Sequence, residues 1–114
     1  MSVLDDNIQK AHAYMAPFRE GGVMNHIDGD IVPAISGQWM DTICPVDGSV
    51  LEQVTMSGPK DVDRAVAAAK AAFPGWSKTP GAERRKILIK VAEAIEARAE
   101  EIAFIECMDT GQAL

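Results

Sequence analysis

The stretch "PKDVDRAVAAAKAAF", residues 59–73, decides the fold, because the hydrophobic period of the chain changes inside it. From Ser57 onward apolar residues recur at three- and four-residue steps, and Val62, Ala65, Val66, Ala69, Ala72 and Phe73 fall on one helical face. Pro59 suits a first helical turn, where its missing N–H has no partner to lose, and Asp61 and Asp63 complement the positive end of the helix. Pro74-Gly75 is expected to end this helix.

Upstream the period is two. In "CPVDGSVLEQVTM", residues 44–56, Pro45 and Asp47-Gly48 make a tight turn, and Val50, Glu52 and Val54 alternate with Leu51, Gln53 and Thr55 in a strand. "HIDGDIVPAISGQWMDTI", residues 26–43, pairs short apolar runs with turn residues, so Asp28-Gly29 is expected to close a hairpin. Further back, Leu4, Ile8, Ala11 and Met15 form one stripe of a short helix over residues 3–15, with Pro17 as its stop and "FREGGVMN", residues 18–25, as a loop.

Downstream, Thr79 is expected to cap a new helix with Pro80 as its first residue. The helical pattern runs from Gly81 to Asp109 along Ile87, Leu88, Val91, Ala94, Ile95, Ile102, Ile105 and Met108, with a bend expected between Ala97 and Glu101 and a left-handed cap at Gly111. Burying one Val or Ile is worth about 1.5–3 kcal/mol. A few short strands are too little to cover two such helices, so the pattern implies partner structure beyond what these elements supply.

At 114 residues and 47% hydrophobic the chain has room for one core. A net charge of −6 and the absence of a basic cluster other than "ERRK", residues 83–86, argue against nucleic acid. "ILIKVAEAIEARAEEIAFI", residues 87–105, is broken by charges and cannot span a membrane, and "MSVLDDNIQK", residues 1–10, has no secretory pattern; a cytoplasmic location is expected. Cys44 and Cys107 lie outside any zinc or disulfide spacing.

Several residues invite a chemical reading. Cys107 is a possible nucleophile, but a reactive thiol needs a base, a metal or a helix N-terminus, and Cys107 occupies the last turn of a helix; a packed thiol is the better reading. Cys44, His12 and His26 carry no pattern that joins them to a reaction, and the adjacent Glu100 and Glu101 point to different sides of their helix. Asp109 differs, because a carboxylate beside the unpaired carbonyls of a helix end offers hard oxygen donors to a cation; a solvated surface acid is the simpler reading. Neither GxGxxG nor GxxxxGK[ST] occurs.

Taken in order, "HIDGDIVPAISGQWMDTICPVDGSVLEQV" and "DVDRAVAAAKAAFPGWSKTPGAERRKILIKVAEAIEARAEEIAFIECMDTGQAL" resemble the N-terminal portion of NAD(P)-dependent aldehyde dehydrogenases. The resemblance covers Asn25 to Leu114 and lies closest to semialdehyde and betaine-aldehyde members. It implies an α/β fold in which residues 1–24 form an N-terminal helix and linker. Residues 25–114 would be the N-terminal strands and first helices of a nucleotide-binding domain that is incomplete here. It further implies a small-molecule aldehyde as substrate, NAD or NADP as cofactor, and attack by a cysteine thiolate followed by hydride transfer and thioester hydrolysis.

The catalytic and cofactor-binding residues of such an enzyme would lie in sequence this chain lacks, so the chain alone is expected to be inactive. Its partners would be the remainder of the same enzyme and further copies in a homo-oligomer. The resemblance also implies a structural monovalent cation, such as potassium, held by the carbonyls of Thr42 and Ile43 and the carboxylate of Asp109. Two departures stand near that site: Cys44 replaces the usual Asn, and Gln112-Ala113 replaces Lys-Pro. A non-catalytic interaction module is the alternative reading.

Overall fold

The computed structural model describes residues 2–114. Helix α1 (Val3–Gly21) is followed by two antiparallel hairpins, β1 (Asn25–Ile27) with β2 (Asp30–Val32) and β3 (Trp39–Ile43) with β4 (Val50–Thr55). Helices α2 (Pro59–Lys78), α3 (Gly81–Ala97) and α4 (Ala99–Thr110) complete the order. The fold is thus a mixture of helix and strand, as the change of period implies.

Helix α1 begins with a reciprocal cap, the Ser2 hydroxyl accepting from Asp5 N–H and the Asp5 carboxylate accepting from Ser2 N–H. It does not stop at Pro17. Proline removes one intrahelical hydrogen bond, but Phe18 packs on the core and Arg19 Nε donates to the Leu51 carbonyl at 3.3 Å, so tertiary contacts hold the last turn. Gly22, at φ +69°, lets the chain leave the helix so that Val23 pairs with the edge of β4, giving to Gln53 O at 2.7 Å and accepting from Thr55 N–H at 2.8 Å.

Asp28 and Gly29 both have positive φ, which gives β1 and β2 the turn whose twist matches a two-residue hairpin. The second hairpin turns through Cys44–Ser49, with Gly48 at φ +74°. Its core cluster is Met15, Cys44 and Leu51, with Phe18 from α1 and Ile105 and Met108 from α4 packed against it. Tyr14 and Phe104 stack at a tilted angle, and Lys10 and Tyr14 both bond the Glu100 carboxylate, so α1 and α4 form a pair.

Helix α2 passes through Pro74 and runs to Lys78 rather than ending at Pro74-Gly75. The donors that finish it come from its own last turn: Ser77 Oγ gives to Pro74 O at 3.3 Å and Thr79 Oγ1 to Gly75 O at 3.0 Å. Thr79 therefore closes α2 instead of capping α3, whose N-cap is Pro80. The expected bend falls at Arg98, which leaves helical geometry between α3 and α4 and pairs with Glu101.

Burial is uneven. The expected stripe of α1 is covered only at Ala11 and Met15, whereas Leu4 and Ile8 are exposed. Along α2 and α3 the expected apolar face is exposed at Val62, Val66, Phe73, Ile87, Leu88, Val91 and Ile95.

Candidate functional site

Thr42 and Ile43 end β3, where the ladder is irregular. Asp41 pairs with Gln53 and Ile43 with Val50, so β4 carries one residue more than β3 opposite Thr42. Thr42 Oγ1 donates to the Glu52 carbonyl at 3.3 Å across this bulge. Thr42 is half-buried and the Ile43 side chain is exposed, which leaves a carbonyl role unaffected.

The turn that follows is knit by its own groups. Gly48 N–H gives to Cys44 O at 2.9 Å and Cys44 N–H to Ser49 O at 2.8 Å. Asp47 accepts from Ser49 N–H at 2.9 Å and from Ser49 Oγ at 2.7 Å. The Ser49 backbone N–H, then its hydroxyl, then the Cys44 thiol hold the Asp47 carboxyl below its ordinary range. Cys44 is buried in the apolar cluster with Met15 and Leu51, where a thiol packs as a small apolar side chain.

Asp109 is brought to this turn by packing. Cys44 follows Ile43 and Met108 precedes Asp109, and Cys44 and Met108 share one apolar cluster. At the helix end Gly111, at φ +74°, lies so close to the turn that an added Cβ would stand 3.0 Å from Pro45 Cγ. Gly111 N–H gives to Cys107 O at 3.0 Å and Thr110 Oγ1 to Glu106 O at 2.7 Å, which satisfies two of the helix's last carbonyls. Asp109 is exposed, the last turn of α4 has no basic residue, and among the described residues its carboxylate has no hydrogen-bond or ion-pair partner.

Packing thus sets the end of α4, at Met108 and Gly111, against the turn that follows Thr42 and Ile43. Two carbonyls and a carboxylate are hard donors of the kind a monovalent or alkaline-earth ion takes, but they supply three oxygens where such ions use six or more. Among the described residues no group of three His, Cys, Asp or Glu side chains could hold a metal by itself. A cation here would need further ligands. Cys107, half-buried on α4, and the exposed His12 and His26 are not drawn into this arrangement.

The strand-to-helix passage from β4 into α2 is not a dinucleotide cradle. Such a cradle needs free N–H donors at the helix start, and here Pro59 has none to offer and the Gly58 N–H is taken by Asp61. Its carboxylate accepts from Gly58 N–H at 2.9 Å and from Ile35 N–H at 3.0 Å, and these bonds, Gly58 first, hold it below its ordinary range. A buried anion at that position disfavours a pyrophosphate. The sequence signal for this clamp was the acid three residues after Gly58, the spacing of a capping box.

Known proteins resemble the chain along most of its length. The family model described as "Aldehyde dehydrogenase family" matches residues 31–114. The acetaldehyde dehydrogenase of Pseudomonas aeruginosa is 36% identical over 108 residues, 89% of this chain and 21% of that protein. Among solved structures, HpcC from Thermus thermophilus superposes with a TM-score of 0.88 at 36% identity, covering 91% of this chain and 20% of its own. Betaine aldehyde dehydrogenase of Staphylococcus aureus in complex with NAD+ gives 0.83 at 27% identity, over 91% of this chain and 21% of its own. The chain spans about a fifth of the length of the curated relatives it matches.

Proposed function

This chain belongs to the aldehyde dehydrogenase family, and we propose that it supplies the N-terminal part of an enzyme that oxidises a small-molecule aldehyde to a carboxylic acid with NAD or NADP. The observation that carries the proposal is the agreement of 91% of the chain with a betaine aldehyde dehydrogenase structure of which it covers only 21%. The cofactor's share of the chemistry is to accept hydride. The S. aureus relative bound to NAD+ supports that assignment for the complete enzyme.

This chain holds neither the thiolate nor the cofactor in the proposed enzyme. Cys44 is buried in the apolar cluster, Cys107 is half-buried near the end of α4, and Asp61 takes the Gly58 N–H at the helix start that follows β4. Its contribution is a scaffold: α1, the β3–β4 hairpin and α4 form a small core, and residues 25–114 are read as the start of the nucleotide-binding domain, after an N-terminal helix and linker over residues 1–24. The carbonyls of Thr42 and Ile43 with the Asp109 carboxylate are proposed as part of a structural monovalent-cation site, completed by residues elsewhere in the enzyme. A cytoplasmic homo-oligomer is the assembly this reading expects.

The test is a chimera in which this chain replaces the matching region of the P. aeruginosa acetaldehyde dehydrogenase. The chimera is expected to reduce NAD+ in the presence of aldehyde, and the 114-residue chain alone to show no such reduction. Turnover by the chain alone, or a folded chimera without activity, would overturn the reading.

A further inference from the structure

The sequence contains two Asp-Gly pairs, Asp28-Gly29 and Asp47-Gly48, and both stand exposed in hairpin turns. Such a pair is open to a reaction within itself, because glycine has no Cβ to shield its amide nitrogen from the preceding side-chain carboxyl. The fold treats the two pairs differently. Asp47 accepts from Ser49 N–H at 2.9 Å and from Ser49 Oγ at 2.7 Å, while Gly48 N–H is given to Cys44 O at 2.9 Å. Both reacting groups are tied, and the Ser49 bonds favour the ionised carboxylate, the poorer electrophile. In the β1–β2 turn neither group is tied. The ladder pairs Ile27 with Asp30 and leaves Gly29 outside it, and among the described residues neither Gly29 N–H nor the Asp28 carboxyl has a hydrogen-bond or ion-pair partner.

We propose that Asp28-Gly29 is a site of spontaneous isomerisation to isoaspartate, and that the turn around Asp47-Gly48 protects the second pair from the same reaction. The Gly29 nitrogen attacks Asp28 Cγ in the carboxylic acid form. A C–N bond forms, the N–H proton leaves with the acid's hydroxyl as water, and a five-membered imide closes. Water then adds at the backbone carbonyl carbon of Asp28 and breaks its bond to the Gly29 nitrogen, so the chain now runs through Cγ and the former backbone carbonyl becomes a free carboxyl. One water is released and one consumed, and nothing is oxidised or reduced. The product carries an extra carbon along a two-residue turn, whose short loop fixes the register of its strands. The Ile27–Asp30 pair is therefore lost, while the Met15 cluster, built on the other hairpin, stays intact. The proposal is independent of the family reading.

The test is ageing of the 114-residue chain in warm neutral buffer, followed by cleavage after Trp39 so that the two turns fall on separate peptides. Aspartyl and isoaspartyl peptides have equal mass and separate by chromatography. Isoaspartate is expected to build up at residue 28 at least about tenfold faster than at residue 47, because the bonds of the second turn must open before it reacts. In urea the two rates should come together, since both pairs offer the same reacting groups. S49A should speed the reaction at Asp47 and leave that at Asp28 unchanged. Equal rates in the folded chain would overturn the proposal. So would a difference that survives in urea, because it would then belong to the neighbouring residues and not to the fold.

Discussion

Around Met15 the chain covers itself, whereas along α2 and α3 it does not. Met15 is 1% exposed, and Cys44, Leu51, Phe18, Ile105 and Met108 close over it from α1, α4 and the hairpin. Leu88, at the middle of α3, is 60% exposed. Both regions carry apolar residues at helical spacing, so periodicity treats them alike. What separates them is whether the chain returns to pack on the face it has made, and only the first region has such a return. The first region is therefore a local core, and the second is an exposed apolar surface.

The largest expected effect tests the self-covered side. Met15→Ala removes the most deeply buried side chain among the described residues, and is expected to lower stability by about 2–5 kcal/mol in a urea melt followed by circular dichroism. A loss under about 0.5 kcal/mol would show that this cluster is no core.

A smaller effect is expected at Gly22, which stands at φ +69°, where an added Cβ would lie 2.5 Å from Trp39 Cζ3. Gly22→Ala combines backbone strain with displacement of the indole, and a loss of about 1–3 kcal/mol is expected in the same melt. Trp39 fluorescence should shift with it, because the ring must move. An unchanged spectrum together with unchanged stability would mean that the exit from α1 is not held by this contact.

The clamp at the start of α2 sits between the two regions and gives a pH signature. The folded Asp61 carboxyl is held below its ordinary value of 3.8 by the N–H groups of Gly58 and Ile35. The unfolded chain therefore binds this proton first as pH falls, and the stabilisation is fully present above the ordinary value and lost as pH falls below it through the lowered folded value. Thermal melts should show Asp61→Asn costing a few degrees near neutrality, and the gap to the parent chain closing in acid. A gap that is constant across the acid range would show that the charge on Asp61 contributes nothing.

The smallest effect is expected on the uncovered side. Leu88→Ser in the isolated chain should change stability by no more than about 0.5 kcal/mol, because the side chain already meets water. A loss comparable to that of Met15→Ala would erase the contrast between the regions.

Much of the fold was legible because it is local. Asp28-Gly29 and Asp47-Gly48 announce turns through residues that accept positive φ or bond their own backbone, and Gly111 announces a helix end for the same reason. The two prolines were misleading. Pro17 and Pro74 remove one hydrogen bond each, but Phe18 and Arg19 hold one helix past its proline by packing and bonding to the hairpin, and Ser77 and Thr79 finish the other. Thr79 illustrates the limit: its hydroxyl could serve the helix before it or the one after, and only the folded geometry shows that it serves α2.

The candidate site divides in the same way. That Asp109 lies at a helix end follows from Gly111, but its approach to the turn after Ile43 depends on Met108 reaching Cys44 across the core. Asp47 and Asp61 were passed over as site-shaping residues, although D-G-S and the acid three residues into α2 carried the signal.

The sequence by itself determined the kind and order of the elements, the turns and the family, but not where α1 and α2 end, because the former rest on neighbours along the chain or on short motifs in a fixed order. Only the tertiary structure decided which apolar faces are met and which are left open, because burial depends on contacts between residues far apart in sequence. The cover on Met15 comes from Cys44, Leu51, Ile105 and Met108, and no comparable set among the described residues reaches α3.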